Sequence, residues 1–151
     1  MNIVLVAKPG IDLYATLAAS ETARNAIRFY QPVDLLYGVF IRVPTVAGAL
    51  ALTSDIRYYT RRYVYEILYG FYPPLYCTAS LAEGTYILRN VNLKPPWPYR
   101  LLYRLSPENS MEKWRIFDTS HIVSPCSFID GSFQAEVWCS QEEFDLVDTS
   151  I

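Results

Sequence analysis

The sequence predicts an α+β fold, with helices in the first half packed on an antiparallel β-meander formed by the second half. Three observations carry that expectation. Residues 12–30 and 53–71 have helix-forming composition or spacing and precede the break at Pro73-Pro74. Beyond that break, apolar and polar residues alternate in short runs, as half-buried strands require. Asp130-Gly131, set between Phe128-Ile129 and Ser132-Phe133, is the best two-residue hairpin signal in the chain. A length of 151 residues suits a single domain, residues 1–151, with no internal repeat and no glycine/serine linker.

Taken in order, residues 3–7 form a compact β-type run closed by the turn chemistry of Lys8-Pro9-Gly10. Residues 12–30 follow as helix, restarting at Ser20-Glu21 and stopped by Gln31-Pro32. A strand, turn and helix in that order suggest a phosphate loop, but the needed glycines and GK[ST] are missing. Residues 34–43 are rich in strand formers, with Gly38 a candidate bulge, and residues 46–52 make a small-residue connector or short helix.

Residues 53–71, TSDIRYYTRRYVYEILYGF, read as the central helix. Thr53, Ser54 and Asp55 supply capping oxygens, and Gly70 with Pro73-Pro74 closes the other end. Ile56, Tyr59, Tyr63, Ile67 and Phe71 fall on one side of it. The opposite side carries Tyr58, Arg61, Arg62, Tyr65 and Tyr69, where a surface helix shows small polar and charged residues. A segment aromatic all round needs cover on both sides, from its own sheet, a second copy or a ligand.

After residue 75 the expected elements are strands. A hairpin at Ala82-Glu83-Gly84 joins residues 75–81 to 85–93, and Pro95-Pro96-Trp97-Pro98 is extended. Residues 99–105 place Tyr99, Leu101, Tyr103 and Leu105 on one face, Arg100, Leu102 and Arg104 on the other. Residues 113–118 return, Phe133, Ala135, Val137 and Cys139 alternate, and the tail from Glu142 runs as an edge strand through Val147.

Charged residues make up 19% and aromatics 15%, so the chain has more apolar surface than a lone monomer of this size easily conceals. That favours a homo-oligomer or a protein partner. Charge is unevenly spread: residues 1–105 carry a net +5 and residues 106–151 a net −7. The asymmetry suggests a basic patch, an acidic tail, or association of the two. Arginine outnumbers lysine ten to three, a composition similar to that of proteins from heat-adapted archaea and their viruses.

Cys77, Cys126 and Cys139 contain no CxxC, and the single histidine, His121, cannot complete a Cys/His metal cluster. No metal site, cofactor or catalytic centre is expected. His121 with Asp118, Ser120 and Cys126 or Cys139 is the most economical catalytic alternative. No basic segment precedes the short apolar start and no run reaches the ~18 apolar residues of a membrane span, so an intracellular or virion location is expected, without membrane or signal peptide.

Functionally, the chain reads as a non-enzymatic interaction or assembly protein, viral structural or accessory in type. It would self-associate or bind a protein through the Tyr/Arg helix face. The alternative is nucleic-acid binding, in which the helix residues and Trp97, Arg100 and Arg104 neutralise phosphates and stack bases. Residues 86–105, YILRNVNLKPPWPYRLLYRL, also resemble the segment ending in PYRQR of T-type phycobiliprotein lyases. Ser124-Pro125-Cys126 followed by Gly131-Ser132-Phe133 is similar in order to that family's later PGC and glycine-phenylalanine positions. Arg89-Asn90 stands where the family has EQ, and Leu101-Leu102 where it has QR. The resemblance implies a bilin-binding β-barrel.

Overall fold

The computed structural model describes residues 1–35, 37–72, 75–94, 96–106, 111–117, 126–127 and 132–148. Strand β1, Asn2–Ala7, leads through the Pro9-Gly10 turn to helices α1, Leu13–Ala19, and α2, Glu21–Ile27. Ser20 makes the restart: its backbone is extended and its hydroxyl accepts from the amide of Ala23. A 3-10 turn, Arg28–Tyr30, ends at Gln31, whose left-handed φ of 48° takes the chain out of the helix before Pro32. Strands β2, Val33–Leu35, and β3, Gly38–Arg42, come next. Gly38 is no bulge. A Cβ there would lie 1.8 Å from the carbonyl oxygen of Leu5, so glycine allows β1 and β3 to pair at this point.

The central segment departs from expectation. Helix α3 spans Val46–Asp55 and is capped by Thr45, so Thr53, Ser54 and Asp55 finish a helix instead of starting one. Ile56, with ψ 19°, separates it from helix α4, Arg57–Tyr63, and at Val64 the chain becomes strand β4, Val64–Tyr72. Valine, isoleucine, tyrosine and phenylalanine are strand formers, and β4 pairs with β1 on one side and with the next strand on the other. The central position of β4 supplies the expected cover for Tyr69, but Tyr58, Arg61, Arg62 and Tyr65 stay exposed, contrary to expectation.

Strand β5, Leu75–Thr78, runs into a short helix α5, Ala79–Ala82, and a π-helical turn, Glu83–Ile87, in place of the expected hairpin. The Thr78 hydroxyl accepts from the Leu81 amide and starts that helix. Strands β6, Arg100–Leu105, and β7, Met111–Ile116, form as the alternation predicts. So does β9, Phe133–Trp138, with a short β8, Cys126–Ser127, antiparallel to it. The Asp130-Gly131 turn itself lies outside the described residues. The tail is not a strand: helix α6, Gln141–Asp145, begins with a Ser140/Glu143 capping box.

Among the described residues nine strands form one sheet: eight run in the order β2-β3-β1-β4-β5-β9-β6-β7, and β8 pairs with β9 off this path; pairing is mostly antiparallel, with β5 and β9 parallel. The class is α+β. Helices α1–α3 cover one face over Ile3, Leu5, Ile41 and Tyr69, and the same cluster continues to Trp138, which packs against Trp97. The other face curls on itself around Val4, Leu68, Leu101, Tyr103 and Val137, with Phe144 of α6 packed against them. The curl is strong enough for Glu66 on β4 to touch Tyr103 on β6 and Lys113 on β7, strands not adjacent to it in the sheet.

Candidate interaction surface

Helix α4 and the first residues of β4 present most of the aromatic and basic residues singled out from the sequence. Tyr58 is 59% exposed and Tyr65 57%, and Arg61 and Arg62 are exposed beside them. The Arg62 guanidinium lies 4.8 Å from the centre of the Tyr58 ring and donates to its hydroxyl, so each side chain holds the other in place. Tyr59 turns inward, its hydroxyl hydrogen-bonded to Ser20, and ties α4 to the start of α2. Arg61 and Arg62 fall in the last turn of α4, where positive charge suits the helix dipole, and Lys8 donates to the Arg61 carbonyl at 3.2 Å.

Tyr65 owes its exposure to a bulge. Pairing with β1 runs regularly from Asn2↔Gly70 to Val6↔Glu66, then shifts so that Ala7 faces Val64 and Tyr65 is the extra residue. Tyr69, four residues on, is 3% exposed and donates its hydroxyl proton to Thr53 at 3.0 Å. It belongs to the core, and burial raises its pKa.

Below α4 opens a cleft of about 800 Å³ lined on its several sides by Arg61, Tyr65, Tyr103, Lys113, Leu146 and Asp148. Its floor is a polar latch. Glu66 accepts a hydrogen bond from the Tyr103 hydroxyl at 2.7 Å and an ion pair from Lys113 at 3.0 Å, and the Lys113 ammonium sits 4.9 Å from the centre of the Tyr103 ring. Burial, then the neighbouring Glu66 carboxylate, holds the Tyr103 phenol well above its ordinary pKa, so its proton stays in place as a donor. The latch joins β7 and β6 to β4 across the open side of the curled sheet. Both Glu66 oxygens are engaged. At the far wall, Glu143 accepts from Thr78 at 2.7 Å and closes the α6 cap.

The second group of sequence candidates lies elsewhere. Strand β6 turns Arg100, Leu102 and Arg104 to the face opposite Tyr103. Arg100, only 4% exposed, is paired with the fully buried Glu136 at 3.1 Å. Trp97 stacks on Trp138 with ring centres 6.1 Å apart, and its indole donates to the Cys139 carbonyl. Arg104 is half-buried. Trp97 and Arg100 therefore hold the fold together and do not extend the α4 surface.

Burial pushes the Cys77 thiol up to about 12 and the Cys139 thiol higher still, which keeps both protonated near neutrality. His121, Asp118 and Ser120 lie outside the described residues, as do the side chain of Cys126 and the loop before it. Among the described residues, no three His, Cys, Asp or Glu side chains converge as a metal site, and no helix is long and apolar enough to cross a membrane.

No family model, curated protein or solved structure matches this chain. What the site does must be read from its own geometry. Glu66, Lys113 and Leu146 do not stand out in the sequence as site residues. Glu66 carried a signal, being the one acid within the apolar and aromatic run from Tyr63 to Tyr72. Leu146 carried none until α6 was seen to leave it 85% exposed.

Proposed function

We propose that this chain is a non-enzymatic interaction and assembly protein that engages a protein through Tyr58, Arg61, Arg62 and Tyr65, of which Arg61 and Tyr65 line the cleft. The observation that carries the reading is the pair of tyrosines left more than half exposed beside arginines, one of them pre-ordered by ring stacking. Tyrosine and arginine are the residues that supply most binding energy at protein interfaces, at small entropic cost. An aromatic side chain brings roughly 150–250 Å²; at about 25 cal/mol per Å², covering the exposed half of each ring releases on the order of 2 kcal/mol.

Nucleic-acid binding is the weaker reading of the same residues. The strand half of the basic and aromatic set is used inside the fold, and α6 with the residues after it brings exposed Glu142, Asp145 and Asp148 to the same region. Those acids oppose a phosphate backbone. Solution mass by light scattering, at low and high salt and with or without a single-stranded oligonucleotide, tests both readings. The wild type is expected to self-associate, and Tyr58→Ser/Tyr65→Ser to lose association with unchanged circular dichroism. Oligonucleotide binding without self-association would favour the alternative. A double variant that behaves like the wild type in every arm would sink the reading.

A further inference from the structure

We infer that the occupant of the cleft face is a second copy of this chain, related by a two-fold axis that sets the basic α4 of each copy on the acidic α6 of the other. This rests on the interaction role proposed above and names its partner. Helix α4, RYYTRRY, contains three arginines and no acid, and all three are exposed. Helix α6 has acids in its first turn and no base in its last; its Glu142 and Asp145 are exposed, as is Asp148 three residues beyond it. Among the described residues none of these six charges takes part in an ion pair. Arg115 does reach α6, but it binds the carbonyl oxygens of Phe144 and Asp145 at 3.0 and 2.9 Å and leaves the carboxylates facing outward.

The placement of the two patches decides the kind of assembly. Arg61 of α4 lines one cleft together with Glu143 of α6 and with Asp148 just beyond it, so the two helices border the same cleft and their opposite charges lie side by side. A patch of one sign would repel its own copy. Opposite patches on opposite faces would build an open chain. Side by side, a half-turn about an axis through the cleft matches both pairs at once and closes the assembly as a dimer. The same rotation carries Leu146, the most exposed of the large apolar side chains on the described surface at 85%, toward the partner's cleft, whose lining includes Val64, Leu101 and Met111. The contact then has an apolar centre and a charged rim, the usual anatomy of a specific interface.

Charge reversal tests the pairing on the whole chain. Arg61→Glu/Arg62→Glu and Glu142→Lys/Asp145→Lys are each expected to weaken the dimer at least about tenfold, because like charges then meet twice. Mixing the two variants should restore the dimer mass, as should combining all four substitutions in one chain. Both changes lie on exposed positions, and a thermal melt confirms that each variant folds. If the wild type is dimeric and loses this with Tyr58→Ser/Tyr65→Ser, but neither charge reversal alters it, the pairing of α4 with α6 is wrong and the interaction surface stands. Masses that grow past the dimer with concentration overturn the two-fold arrangement. A wild type that stays monomeric at its solubility limit overturns the second copy as partner; if it then binds the oligonucleotide, the interaction reading fails with it.

Discussion

Arg100 separates a core reading of its strand from a surface reading, and the separation is measurable. In the register of β6 with β9, Arg100 faces Trp138 and Leu102 faces Glu136, which puts the guanidinium and the carboxylate on one face, diagonally adjacent. Glu136 accepts from Arg100 at 3.1 Å and from the Trp138 indole at 2.9 Å, with no solvent access. Arg100→Met removes the cation and leaves a buried carboxylate, a loss of roughly 3–5 kcal/mol. Glu136→Leu leaves a buried guanidinium and, in addition, an indole N–H without its acceptor, a further ~1–3 kcal/mol. Against a total stability of about 5–15 kcal/mol, either single variant is close to unfolding. The double variant, Arg100→Met/Glu136→Leu, replaces the pair with apolar groups of similar volume and should recover much of the loss. Urea titrations of the four proteins give the coupling energy, expected at about 2 kcal/mol or more. Both side chains have other interactions as well, so some cost remains in the double variant. Additivity within about 0.5 kcal/mol would refute the pair. If Arg100→Met kept full stability and lost self-association instead, Arg100 would be an interface residue and the core assignment wrong.

Two further outcomes follow from the geometry. Gly38→Ala should destabilise by roughly 3 kcal/mol, the upper part of the overpacking range, since its Cβ would meet the backbone of Leu5 at 1.8 Å; an unchanged urea midpoint would contradict the close approach of β1 and β3. Stability should also fall at alkaline pH. Burial raises Cys77 from 9.0 to about 12, and Tyr37 from 10.0 to about 12 with help from Tyr76. The folded chain therefore holds these protons after the unfolded chain has lost them, so stability is full below about pH 8 and declines as pH rises from there toward the folded values. Urea midpoints across that range check the slope, and a flat profile would show that neither group is buried as described.

Local signals in the sequence are reliable where they are strong. The Lys8-Pro9-Gly10 turn, the restart at Ser20 and the alternation through Tyr103 each depend on a few neighbouring residues, and each appears as expected. Residues 53–71 mislead because Ile56, Tyr59, Tyr63 and Ile67 satisfy a helical period while residues 64–72 equally satisfy a strand. What decides between them is pairing with β1 and β5, which no local window contains. In the tail, Ser140 and Glu143 spelled a capping box, but the apolar residues after it suggested a strand. The latch was illegible for a related reason. Glu66, Tyr103 and Lys113 are far apart in sequence and meet because the sheet curls.

The bulge at Tyr65 explains why a buried latch and an exposed surface occur on neighbouring residues. Regular pairing would set Tyr65 opposite Ala7, on the face that buries Tyr69 under the helices. The shift to Ala7↔Val64 releases Tyr65 from that face, while Glu66, still paired with Val6, keeps its side chain on the curled face. One extra residue thus places a tyrosine at the rim and a carboxylate at the floor of the same cleft. A sheet needing only a closed core gains nothing from this, because Tyr65 forgoes burial worth on the order of 2 kcal/mol. Bulges re-aim side chains where a strand serves a site. The loss is offset once a second surface covers Tyr65, and the acidic α6 beside the same cleft gives that surface the charge it would need to meet Arg61 and Arg62.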